Sequence, residues 1–207
     1  MIRFHLVLLT SGTRWVAPAA FGAIFLALGL SPQATVAENS AFFFPVVYII
    51  SLWVAVIVGN IDDDAHREMV AASAGGVGKL HTIRAATAAS VLFGFVVVLS
   101  VVVGLVGQGK SLTSLLAVLP LLSGGMLLGV GAGNMMCRPV VDEIGVAAVG
   151  GPLSLSALML APPIHWVLWE TNAGSLRGAA AVFPAAIAAV VVLAGLSRVL
   201  LRRRGLT

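Results

Sequence analysis

Apolar residues along this chain fall in long unbroken blocks with no two-residue alternation. Six blocks occupy roughly 15–30, 41–59, 85–107, 114–136, 144–163 and 179–201. Each comes near the ~20 residues that a helix needs to cross a hydrocarbon core about 30 Å thick. A membrane barrel would show segments of about ten residues alternating in polarity. Continuous blocks instead require helices, which satisfy their own backbone in lipid. The expected fold class is all-α: a polytopic membrane protein with six transmembrane helices, organised as a single domain over residues 1–207.

The polar intervals are short. The first is 31–40, where Pro32 ends the first helix, and Phe42, Phe43, Phe44 and Tyr48 open the next block. Residues 108–113 make a tight hairpin, residues 137–143 return the chain to the first side, and 162–178 form the last outer loop. In that loop Trp166 and Trp169 read as anchors at the headgroup boundary. The exception is the long segment 60–84. Asp62, Asp63 and Asp64 offer caps and favourable charge at a helix start, and Gly75-Gly76 offers a stop. A short helix is expected there, and a second helical stretch from Val77 to Arg84 feeds the third span. A bare connector between adjacent spans needs only a few residues, so this helix reads as a docking element.

Charge orients the threading. Arg3, Arg14, Arg67, Lys79, Arg84, Arg138, Arg198, Arg202, Arg203 and Arg204 fall on one side, leaving Lys110 and Arg177 on the other. Short loops rich in Lys and Arg stay cytoplasmic, which puts both termini inside and the chain in the cell membrane. Residues 1–13 read as an interfacial segment before a retained first span rather than as a cleaved signal. The composition agrees, with 59% hydrophobic and 10% charged residues against roughly a quarter charged in soluble domains. The net charge of +4 is accounted for by topology and does not indicate nucleic-acid binding.

Little catalytic chemistry is visible. Residues 104–111, GLVGQGKS, fit the phosphate-loop pattern but follow a membrane block instead of a strand, so the match is coincidental. Asp62, Asp63, Asp64 and His66 read as caps more readily than as ligands for Mg²⁺ or Ca²⁺, and no metal site is expected. The lone Cys137 precludes an internal disulfide. Gly125, Gly129 and Gly133 recur every fourth residue, the spacing that lets helix backbones approach closely in lipid. Asn134, beside them, is a candidate for an interhelical hydrogen bond or for lining a pathway.

Three features together resemble the membrane permease subunit of type 2 ATP-binding cassette (ABC) exporters. They are the interfacial start followed by RWVAPAAFGAIFLALG, the stretch DDDAHREMVAASAGGVGKLHTIRAA between spans two and three, and the six-span layout. The resemblance implies that residues 62–76 are a cytoplasmic coupling helix docking into a separate ATPase subunit. Asp64, His66, Arg67, Glu68 and Met69 are then the contact candidates. It further implies a second permease chain, same or related, and ATP and Mg bound by the partner ATPase, with no cofactor and no catalytic residue in this chain. The region after span five departs from larger members in lacking a clear re-entrant helical hairpin. The expected function is export of an amphiphilic substrate. The alternative is a non-transporting scaffold or regulatory subunit. A proton-coupled transporter wants ionisable groups at the bilayer midplane and ranks third, and a membrane enzyme ranks last.

Overall fold

The computed structural model describes residues 13, 15–61, 64–137, 140, 144–172, 175–176 and 178–203. Among them run eight helices: α1 (Val16–Gly29), α2 (Val36–Gly59), α3 (Asp64–Ala74), α4 (Val77–Val106), α5 (Leu112–Met135), α6 (Ile144–Leu160), α7 (Pro162–Asn172) and α8 (Ala179–Arg203). Helices α2, α4, α5 and α8 are long and apolar enough to cross a membrane, and α6 with α7 makes a fifth if taken as one bent span. The architecture is that of a multi-pass helical membrane protein. Helix α1 has 14 residues, a rise of about 21 Å at 1.5 Å per residue. The expected interfacial segment, apart from Thr13, and the expected caps Asp62 and Asp63 lie outside the described residues.

Three boundaries differ from expectation. Helix α2 starts at Val36, five residues before the apolar block, because Thr35 and Glu38 form a capping box. The Glu38 carboxylate accepts from Thr35 N–H at 2.7 Å, and the Thr35 hydroxyl accepts from Glu38 N–H at 3.2 Å. These bonds satisfy amides that a helix start otherwise leaves open. Helix α4 is one continuous 30-residue rod, so the expected inner stretch and the third span are a single element. The region after the fifth block is not a plain loop. Helix α7 occupies its first part, and the axes of Gly150–Leu160 and Ile164–Thr171 are bent by 74°. Pro162 and Pro163 have no amide hydrogen to continue the α6 ladder, yet their fixed φ suits a new first turn. Ala161 O accepts from His165 N–H at 2.9 Å, so the new helix starts at once.

Helix α5 is the centre of the bundle, packed against α2, α8 and α4. Within its apolar window 61% of residues are buried, against 17% for α8, which leaves α8 facing outward. The close approach is made by glycines on two faces of α5. A Cβ on Gly129 would overlap the Tyr48 carbonyl and lie 2.8 Å from Ser51 Cβ. One on Gly133 would lie 2.5 Å from the Leu52 carbonyl and 2.8 Å from Ala55 Cβ, and one on Gly125 would press on the Phe44 ring at 3.2 Å. Gly124 and Gly131 present the same absence of bulk to Val182 and Val190 of α8. The expected glycine stripe therefore faces α2 of its own chain.

Away from α3, the ends of the helices are stitched together. Gln108 N–H donates to Ala34 O at 2.9 Å, and Val36 N–H donates to Gln108 O at 3.0 Å, which ties the α1–α2 and α4–α5 turns together. Asn39, buried, clasps Ser31 through both its amide atoms at 3.1 and 3.0 Å. Tyr48 donates its hydroxyl to Ser154 Oγ at 2.8 Å and links α2 to α6.

Replacing Gly129 by Val should force α5 off α2 and lower stability by about 1–3 kcal/mol, the usual range for overpacking. Gly94, with nothing within 4 Å of an added Cβ, is the control. Thermal unfolding in mild detergent should show a lowered midpoint for Gly129→Val and a native-like one for Gly94→Val.

Candidate partner-docking surface

Helix α3 sits between the end of α2 and the start of α4. Its 11 residues fall short of the ~12–15 that an isolated helix needs to persist in water, so tertiary contact must hold it. Ala71 and Ala74, both buried, meet the buried Leu80 of α4, with Val70, Val77 and Ile83 around them. Alanines on this face keep the two helices close. The far end is locked by a glycine pair in the left-handed region, Gly75 at φ 85° and Gly76 at φ 115°. Gly76 N–H donates to Ala71 O at 2.8 Å and Gly75 N–H to Ala72 O at 3.1 Å, the paired bonds of a Schellman stop. Gly76 is also the N-cap residue of α4.

Two of the expected contact residues face outward on α3. Glu68 is exposed, and Met69 is 66% exposed, which leaves a flexible apolar side chain unburied. Asp64, His66 and Arg67 lie in the same helix, and their side chains are outside the described residues. Asn134, the pathway candidate, is half-buried near the end of α5. It lines a cavity between α4, α5 and α8, and its backbone carbonyl accepts from the Cys137 thiol at 3.1 Å.

Beneath α3 lies a junction absent from the expectation. Arg84, set at the membrane boundary by the sequence pattern, is only 2% exposed. Its Nη1 donates to Gly59 O at 3.0 Å. Gly59 is the last residue of α2, where carbonyls lack intrahelical partners and a cation is favoured. Cys137, just past α5, packs so tightly here that a Cβ on Gly59 would lie 2.5 Å from its Cβ. The ends of α2 and α5 thus meet the early part of α4 at one guanidinium. His81, one turn earlier, is buried too. The signal was present in the sequence: Leu80, Arg84, Ala88 and Leu92 lie on one helical face, so the buried side of the span runs back through Arg84.

The phosphate-loop look-alike resolves as a membrane hairpin. Gly104 belongs to α4 and faces Leu115 of α5, and Gly107 caps α4 by donating to Val103 O at 3.1 Å. With the Gln108 amide also engaged, these two donors are already spent within the chain. Among the described residues no group of three or more His, Cys, Asp or Glu is placed to hold a metal.

The chain matches no family model, no curated protein and no solved structure.

Arg84→Ala removes a charge-assisted bond from a buried carbonyl, a loss of about 1.5–3 kcal/mol. The thermal midpoint should fall clearly, while the exposed Arg203→Ala should stay close to the parent protein.

Proposed function

We propose that this chain is the membrane permease subunit of a type 2 ABC exporter, with no ATPase site of its own. The observation that carries this reading is α3: a short helix fixed on its inner side, locked at its end, and presenting Glu68 and Met69 outward. Such an element is built to be gripped by another protein and to pass force to the helices it joins. The partner is a separate cytosolic ATPase that binds ATP and Mg, and its contacts are Asp64, His66, Arg67, Glu68 and Met69. Lys79, Arg198, Arg202 and Arg203 lie at the α3 end of the described bundle, and Lys110 lies at the opposite turn. That distribution supports a cytoplasmic α3 by the positive-inside tendency.

In this reading α1 is a short first crossing, the bent α6–α7 pair supplies the fifth with a re-entrant outer arm, and six crossings return both termini to the cytoplasm of the cell membrane. Two permease chains enclose the path. A differential grip on α3 in the ATP-bound and ATP-free states of the partner shifts the pair between two conformations, which is the only way such a ligand can drive a change. The apolar lining of the helices suits an amphiphilic cargo.

Burying an exposed Met contributes about 1.5–3 kcal/mol, so Met69→Asp should weaken ATPase capture at least tenfold. His66→Ala, Arg67→Ala and Glu68→Ala together should do the same while membrane insertion is preserved. Co-purification of an ATP hydrolase with the parent chain, lost in both variants, is the expected result; undiminished capture would remove α3 as the docking element. Capture with no ATP-dependent cargo movement in reconstituted vesicles would return the scaffold reading.

A further inference from the structure

Two cavities meet beside α3 and form one amphipathic slot. The inner, about 270 Å³, lies between α4, α5 and α8 and is walled by Ala86, Ala89, Leu127, Val190 and Leu193. The outer, about 420 Å³, opens at the α3 end among Gly76, Lys79, Arg198 and Arg202. They share Gly78, Thr82, Arg198 and Leu201, so the basic mouth continues into the apolar interior. No Asp or Glu lines either one among the described residues, and Lys79, Arg198 and Arg202 are all exposed there. His81 lines the inner cavity at 5% exposure.

We infer that this slot holds one anionic glycerophospholipid. Its phosphate sits among Lys79, Arg198 and Arg202, and one acyl chain runs along Ala86, Ala89, Val190 and Leu193. Each part of the slot has a counterpart in that one molecule. A free phosphate would leave the apolar walls empty, and a zwitterionic lipid would bring a cation into a mouth already lined by three. Basic pockets between membrane helices are suited to anionic headgroups. The assignment rests on the membrane architecture alone and does not require a transport role.

The test is native mass spectrometry of the intact chain in mild detergent, titrated with phosphatidylglycerol, phosphatidylcholine of the same chain length, or inorganic phosphate. Phosphatidylglycerol should bind at one lipid per chain, at least tenfold tighter than phosphatidylcholine, and should raise the thermal midpoint. Arg198→Gln with Arg202→Gln, both exposed positions that leave the core intact, should abolish the preference. Ala89→Trp should block the slot and remove lipid binding even with the mouth unchanged. Should that variant fail to fold, the arginine pair decides the matter. Equal binding of the two lipids, equal thermal protection by inorganic phosphate, or undiminished preference in the arginine variant would each overturn the assignment.

Discussion

Contact between backbones, made possible where side chains are missing, is the condition on which this bundle rests. Lipid surrounds apolar helices as comfortably as other helices do, so burying Leu against Leu gives little net drive for association. Helix α5 meets this with glycine. Gly129 and Gly133 sit directly on the Tyr48 and Leu52 carbonyls of α2, and Gly124 and Gly131 make room for the Val182, Val190 and Leu193 side chains of α8. Dispersion between atoms at contact distance is small per pair and large in sum, and it is available only because no Cβ intervenes. With α5 seated, α2 gains a fixed neighbour along its length, and the outward helices arrange around that pair.

Helix α2 is then held at both ends by different chemistry. At one end the Thr35–Glu38 box and the clasp of Asn39 on Ser31 fix its start, while Gln108 sews that turn to the α4–α5 turn. At the other end Arg84 of α4 reaches the Gly59 carbonyl. The result is a frame pinned at both ends of α2, with α3 set apart from it as the bridge between α2 and α4 on the Arg84 side. A docking role for α3 needs this division: a partner can work only on an element whose surroundings do not yield with it.

Much of this was legible from residues alone, and for identifiable reasons. The long apolar blocks announced α2, α4, α5 and α8 because spanning helices are hydrophobic all round, and Gly75-Gly76 announced the end of α3 because few residues tolerate positive φ. The glycine spacing pointed to one face of α5. What escaped was mostly local chemistry in short segments. The Thr35-x-x-Glu38 pattern was present but lay inside a stretch whose polarity reads as loop. Pro162-Pro163 reads as a break, and a break is equally a start, so α7 went unseen. The burial of Arg84 escaped because charge alone suggests an exposed side chain, whereas its partner, a carbonyl 25 residues earlier in the chain, is set only by the packing. The partner and the cargo that the proposed function calls for are properties of molecules outside the chain, and hydrophobic walls encode little about either.

Gly76 has one further consequence. It is the second stop residue of α3 and at the same time the cap of α4, so the two helices share a joint with no spare chain between them. Slack is therefore missing from the elbow. A tilt of the short arm must be absorbed by the torsions of two glycines or handed on to a rod of 30 residues, about 45 Å at helical rise. Small angular displacements at the near end become ångström-scale sweeps at the far one, like a crank turning a long shaft.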